Sequence, residues 1–293
     1  MLQSVAIFSK DTNIRTKDAV QKLIDEFSAR GIVVQLFQRS GEKNHPYSGS
    51  TLVFIKDIKS ILSHLPDMIF SVGGDGTFLE TVLRVKETGV PVAGVNTGRM
   101  GFLANIPNED LDLSVDLLCK GSYEIVERSM LEIQRPAGLF EGDAASALNE
   151  ITIQKASMSM ITIHVYVNDE FLNTYWADGL IVSTATGSTA YNLSVGGPIL
   201  SPEDESIIIS PISPHNLTIR PIVLSGESRL RMMLEARADE FLATCDFRYR
   251  KLPLGEEIHI VRSDIRLKTV MLKGRGFYST LRNRLMWGAD KRN

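Results

Sequence analysis

A run of β-forming residues that stops at two glycines limits this chain more than any other feature. Asp67-Met-Ile-Phe-Ser-Val72 ends in Gly73-Gly-Asp-Gly-Thr77, and a helix pattern begins at once, with Phe78, Leu79, Val82 and Leu83 on its apolar face. Thr77 and Glu80 have the Thr-x-x-Glu spacing of a capping box, which predicts a helix from Thr77 to Thr88. A strand that feeds a glycine turn into a helix N-terminus gathers unpaired N–H groups and the positive end of the helix dipole, a natural seat for phosphate. Asp75 is at odds with that seat, because its carboxylate repels phosphate and the loop has no lysine of the P-loop kind. Two roles resolve the conflict: holding a divalent cation, or taking the proton of a hydroxyl that attacks a phosphoryl group. Both belong to phosphoryl transfer. Asp-Gly is also a common turn pair, so these five residues alone read equally well as a plain turn.

The surroundings give the loop its context. Ser4 to Phe8 reads as a strand, Ala19, Val20, Leu23, Ile24 and Phe27 recur at helical spacing, and Ile32 to Phe37 is a second strand. Ser40 to Ser50 is a polar loop, Thr51 to Ile55 a short strand, and Asp57 to Leu65 a helix ended by Pro66. Pro91 to Val95 is another β run, and Asn108 to Lys120 is helical. Alternating strands and helices imply parallel βαβ units, a Rossmann-like sheet with flanking helices, in which ligands sit beyond the carboxyl ends of the strands. Gly73 to Thr77 lies at such an end. A second glycine-bearing turn, Asn96-Thr-Gly-Arg-Met-Gly-Phe-Leu103, reads on its own as a connector.

From about Tyr123 the helical period gives way to short alternating runs, such as Ile151 to Gln154, Ile161 to Val167, Leu180 to Ser183 and Arg229 to Leu234. Asn168-Asp169 between two of them predicts a tight hairpin. The expected organisation is an α/β domain over residues 1–124, a mostly β, sandwich-like domain over 125–270, and a C-terminal segment over 271–293 that returns to the first. Lys273, Arg275, Arg282 and Arg284 in that segment are able to touch a phosphate, but a solvated face is the better explanation of the four.

Composition excludes several classes. A net charge of −3 argues against a general nucleic-acid binder. The two cysteines, Cys119 and Cys245, have no Cys-x-x-Cys spacing and suit a reducing compartment. The apolar start Ser4 to Phe8 is too short for a signal peptide, and no run approaches the length of a membrane span. A cytoplasmic protein with no membrane partner is expected.

Within the β half, three polar clusters interrupt apolar runs. Asn149-Glu150 precedes Ile151, Asp178-Gly179 precedes Leu180, and Thr184-Ala-Thr-Gly-Ser-Thr-Ala-Tyr191 is short of bulky apolar side chains. The first two alone read as strand-end turns. The third lets a ligand approach the backbone closely, offers hydroxyls to sugar and base edges, and has Tyr191 to stack on a ring.

Taken together, Gly73 to Thr77, Gly94 to Leu103, Asn149-Glu150, Asp178 to Ile181 and Thr186 to Tyr191 resemble the bacterial NAD kinase family, in order and spacing, from the first strand to about Asp246. The Gly-Gly-Asp-Gly loop alone is shared with lipid kinases of the diacylglycerol and sphingosine type, and it resembles the phosphofructokinase site. The later clusters single out the NAD kinase branch. The resemblance implies ATP-dependent phosphorylation of the adenosine ribose 2′-hydroxyl of NAD, giving NADP and ADP, with Mg²⁺ as the divalent cation. It implies Asp75 as general base, and Gly73, Gly74 and Gly76 against the bound substrates. Asn149, Glu150, Asp178, Thr186 and the run Thr189, Ala190, Tyr191, Asn192, Leu193 and Ser194 would hold the dinucleotide. It further implies a homodimer or homotetramer whose sites are shared between subunits. Met100 stands where family members often have leucine, and Trp176 occupies a variable position that bears on NADH acceptance. The alternatives are a lipid kinase built on the same loop, or a non-catalytic NADP(H)-binding sensor.

Overall fold

The structure is a computed structural model that describes residues 2–10, 13–38, 46–56, 65–98, 101–140, 145–274 and 276–286. The helix expected over Asp57 to Leu65 lies outside these residues except for Leu65, as do the first part of the Ser40 to Ser50 loop, Met100 and Arg275.

The chain begins with β1 (Ser4–Ser9), α1 (Ile14–Ala29), β2 (Val33–Phe37) and β3 (Leu52–Ile55). Asn13 caps α1 by accepting the Thr16 N–H at 2.9 Å, and Ala19, Val20, Leu23, Ile24 and Phe27 form its buried stripe. Next come β4 (Met68–Gly73), α2 (Asp75–Val85), β5 (Val92–Asn96), β6 (Ile106–Pro107), α3 (Leu111–Cys119) and β7 (Tyr123–Arg128). Every residue of β4 and β5 is buried, as expected for strands covered on both faces of a parallel sheet.

A second series follows: β8 (Leu131–Arg135), β9 (Ser146–Ala147), β10 (Glu150–Lys155), β11 (Ile161–Val167), β12 (Glu170–Ala177) and β13 (Gly179–Ser183). A 3-10 turn at Thr186–Thr189 and the single-turn α4 (Tyr191–Ser194) separate these from β14 (Ile207–Ile212) and β15 (Ile222–Leu224). Then come β16 (Leu230–Glu235), β17 (Glu240–Cys245), β18 (Arg248–Pro253) and β19 (Ile258–Arg262), and the described chain ends with β20 (Leu267–Leu272) and α5 (Phe277–Leu285).

These elements form two compact units, Met1–Glu127 with Leu267–Asn293, and Arg128–Arg266. The first is the expected α/β unit, an eight-stranded sheet in the order β3-β2-β1-β4-β5-β20-β7 with β6 on β5. Its pairings from β3 through β5 are parallel, and Gly73 at the end of β4 lies beside Asn96 at the end of β5. Both glycine-bearing turns therefore leave the same edge of the sheet. The second unit is an antiparallel sandwich of two six-stranded sheets, β15-β14-β13-β10-β17-β18 and β12-β11-β16-β19-β8-β9. Alternate residues of both sheets, such as Ile151, Val182 and Phe241 from one and Ile163, Met232 and Ile260 from the other, close one core. Asn168 and Asp169 turn with φ of 50° and 67°, joining Val167 to its partner Glu170, the geometry a two-residue hairpin requires.

One local expectation fails. The helix after the glycine turn starts at Asp75 with Gly74 as its cap, and no side chain closes that end. Thr77 is buried against Gly73, where an added Cβ would lie 2.3 Å from the Thr77 hydroxyl oxygen. Glu80 points away and pairs with Lys10 at 3.1 Å and Arg84 at 3.3 Å. The Thr-x-x-Glu spacing is present, but its two members serve other contacts.

Because β20 completes the sheet between β5 and β7, its core residues hold the first unit together. Leu272→Ala, at a position 2% exposed, is expected to lower stability by about 2–5 kcal/mol. Lys273→Ala, at an exposed neighbour, should change it by no more than about 0.5 kcal/mol. Urea unfolding of the two variants checks the contrast.

Candidate functional site

Asp75 is the first residue of α2, so its carboxylate stands at the positive end of the helix dipole. It is also clamped. Oδ2 accepts the Phe102 N–H at 2.8 Å, and Oδ1 accepts the N–H groups of Leu103 and Ala104 at 3.1 and 3.0 Å. A Cβ on Gly101 would fall 1.5 Å from Oδ1, so the clamp closes only around a glycine. The turn after β5, which reads as a connector in the sequence, is thus the mount for Asp75. It is pinned in turn: Thr97 donates its N–H to the Gly73 carbonyl at 3.2 Å, and its hydroxyl meets that of Thr16 at 2.8 Å.

A carboxylate has about four acceptor positions, and three here are filled by amides, leaving room for one further donor. Gly74 and Gly76 flank it. A Cβ on either would meet nothing within 4 Å, and neither has a left-handed φ. Nothing in the chain's own packing calls for glycine there, and Gly76 in the first turn weakens the helix. The open surface over their backbone is what a close-lying ligand needs.

In the second unit the ladder joins two of the three expected clusters. Glu150 pairs with Ser183, which brings Asn149-Glu150 beside the turn that follows β13. The Thr184 hydroxyl donates to the Leu148 carbonyl at 2.6 Å and accepts the Gly187 N–H at 3.0 Å. A Cβ on Gly187 would sit 2.0 Å from the Asn149 carbonyl oxygen. The same strand start is held from the other side by Asp246, whose carboxylate accepts the N–H groups of Leu148, Asn149 and Glu150 at 2.9, 2.8 and 3.2 Å. Sequence reasoning missed Asp246, and it reads Arg284, discussed below, only as one of four basic residues. Asp246 sits in a tight turn at φ 52°, and no local sequence pattern points from it to the amides it holds.

Individual residues divide by what their side chains do. The Asn192 amide is wholly engaged, donating to the carbonyls of Ser188 and Pro198 at 3.1 and 3.0 Å and accepting the Ser210 hydroxyl at 2.6 Å. Thr189 donates to the Thr186 carbonyl at 3.3 Å, and Thr186 accepts from Arg128 at 3.3 Å. These shape the turn. Tyr191 and Ser194 are exposed, Ala190 and Leu193 half-buried. The Asn149 side chain makes no hydrogen bond within the described residues, and Glu150 has a buried oxygen, Oε2, with no partner. Asp178 is placed apart. It pairs with Lys155 at 2.6 Å, at the far end of β10 from Glu150, a separation of five residues or roughly 17 Å of strand.

Burial and the charge of Asp246 push the Glu150 carboxyl up to about 8, against the smaller downward pull of an N–H from Tyr191. Burial also raises Asp246, against the pull of its three amides. Among the described residues no group of three or more His, Cys, Asp or Glu side chains is arranged to hold a metal ion.

A carboxylate mounted at the mouth of an anion-binding turn marks a phosphotransferase rather than a passive phosphate seat. Residues 7–123 match the ATP-NAD kinase N-terminal domain and residues 148–272 the ATP-NAD kinase C-terminal domain. The chain is 45% identical over 229 residues to an NAD kinase of Cytophaga hutchinsonii, covering 78% of each. It is 42% identical over 236 residues to one of Flavobacterium johnsoniae, covering 80% of each. A yeast NADH kinase solved with NADH superposes with a TM-score of 0.83 at 24% identity, covering 99% of this chain and 89% of that one. An Archaeoglobus fulgidus NAD kinase solved with ATP gives 0.74 at 25% identity, covering 97% of both. The chain belongs to the NAD kinase family.

A glutamate with a raised pKa keeps its proton in the folded chain when the unfolded chain has lost it. Its contribution to stability is therefore present at low pH and declines as pH rises between the ordinary value of 4.5 and about 8. Glu150→Gln removes that dependence. Urea titrations across this window should show wild type losing stability relative to the variant by up to about 1.4 kcal/mol per pH unit.

Proposed function

We propose that Asp75 is the general base of an NAD kinase, accepting the proton of the adenosine ribose 2′-hydroxyl of NAD as that oxygen takes the terminal phosphoryl group of ATP, to give NADP and ADP. The observation that carries this reading is the single acceptor position left on the clamped carboxylate. Three amides fix the direction in which the fourth donor arrives, and positioning of this kind often contributes more to rate than the proton transfer itself. The first-turn N–H groups of Asp75, Gly76 and Thr77 have no partner within α2 and suit phosphate oxygens. Asn149, with a free amide, and Glu150, with a free oxygen, suit the hydroxyls and base edge of the dinucleotide, and exposed Tyr191 a ring face.

Of the two roles open to Asp75, the base suits its geometry better than the metal ligand, since amides take most of its acceptor positions. The divalent cation then enters as the ATP complex, held by the substrate's own phosphates. The distance of Asp178 from the other NAD-binding candidates supports a dimer or tetramer with sites shared between subunits. A cytoplasmic setting agrees with Cys119 and Cys245 standing as thiols rather than as a disulfide. No described helix is long and apolar enough to cross a membrane. Neither the lipid-kinase nor the sensor alternative is favoured, because the relatives named above are dinucleotide kinases and match across both units.

A coupled assay for NADP, run with ATP against polyphosphate and NAD against NADH, tests class, donor and acceptor together. Asp75→Asn should lower kcat by roughly two to four decades with the KM for NAD nearly kept. It also turns an NH₂ toward an amide N–H, so a melting curve must accompany the kinetics; near-normal turnover would refute the assignment. Gly76→Ala should fold at least as well as wild type, gaining up to about 1 kcal/mol of helix stability, yet lose activity. Asn149→Ala should raise the KM for NAD; an unchanged value would remove it from the site.

A further inference from the structure

The first unit contains a cation with donors to spare. Arg284 lies in the last turn of α5, and its Nε and Nη2 groups are buried with no hydrogen-bond partner among the described residues. Its basic neighbours in sequence, Lys273 and Arg282, are exposed and need no ligand. The Arg284 guanidinium carbon stands 5.6 Å from the ring centroid of Phe102, the residue whose N–H binds Asp75 Oδ2 at 2.8 Å. Burial draws the Arg284 pKa down while the Asp75 charge pushes it back up, so the two heads are electrostatic neighbours. Yet neither buried nitrogen bonds to Asp75. Buried guanidinium donors without acceptors are strongly unfavourable. Such a group is stable here as a half-built contact whose other half arrives with a ligand.

The chemistry of that ligand follows from the site. Planar N–H forks match phosphate oxygens, and phosphoryl transfer spreads negative charge over the equatorial oxygens of the moving group. The turn at residues 73–77 has N–H groups but no lysine, and it already contains one negative charge in Asp75. We propose that Arg284 supplies the positive charge this turn lacks, binding phosphate oxygens of the ATP donor through Nε and Nη2 beside Asp75. The proposal rests on Asp75 lying at the reacting centre. The same fork suits the pyrophosphate of NAD, so the test separates the two sources.

Wild type, Asp75→Asn, Arg284→Met and Arg284→Lys are assayed for NADP formation with ATP and NAD varied in turn, each with a melting curve. Methionine keeps an apolar stem against Phe102 and removes the charge. In Arg284→Met, kcat/KM for ATP should fall about 10- to 100-fold. The KM for NAD should move less than about threefold, and the melting midpoint should hold or rise because a buried unpaired charge is gone. Arg284→Lys, which retains charge but loses the fork, should lie between. Unchanged ATP constants in Arg284→Met overturn the proposal, and so does a loss confined to the KM for NAD. If the methionine variant does not fold, wild-type ATP constants in Arg284→Lys overturn it equally. Wild-type turnover with loss in Asp75→Asn and none in Arg284→Met removes the arginine alone, whereas absence of NADP in wild type removes the proposed function with it.

Discussion

Three amide N–H groups directed at one carboxylate hold the glycine-turn end of the first unit in shape. Phe102, Leu103 and Ala104 bind Asp75, and that contact joins two turns that leave neighbouring parallel strands. Without it the turn after β5 has little reason to fold back, and a carboxylate at a helix N-terminus has many orientations open to it. With it, the acid has a fixed direction before any substrate arrives. An anion held by neutral dipoles in this way needs no counter-charge of its own, so nearby positive charge remains available to an incoming phosphate.

The second unit uses the same device for a different purpose. Asp246 gathers the N–H groups of Leu148, Asn149 and Glu150, again three in a row, and fixes the start of β10 where the dinucleotide candidates lie. Here the acid is a scaffold. Burial raises each of the two carboxyls, and the charge of Asp246 raises Glu150 further, which ties the shape of this strand start to protonation. One aspartate orients itself by three amides, and the other orients the amides.

What the sequence disclosed follows the range of the interactions. Periodicity exposed the βαβ half, the alternating strands and the Asn168-Asp169 hairpin, because each depends on neighbours a few residues away. The glycine turn was legible as a phosphate seat, since strand, turn and helix are contiguous. The start of α2 was misplaced because Thr-x-x-Glu is a statement about spacing, and burial of Thr77 against Gly73 outweighed it. The clamp itself was invisible: it spans 27 to 29 residues between loops that follow no period. Asp246 lies 96 to 98 residues from the amides it gathers, and no pattern links them. Arg284 was noticed only as one of four basic residues; its burial distinguishes it from Lys273 and Arg282, and burial is not written in a charge count.

The position of β20 also has a bearing on how the polypeptide is made. This strand lies between β5 and β7, yet the ribosome reaches it only after the whole antiparallel sandwich has emerged. During synthesis the N-terminal sheet waits without the strand that joins β7 to β5, while the sandwich, contiguous in sequence, is free to close first. Order of birth and order of completion are thus reversed, because the first unit to begin is the last to receive its final strand.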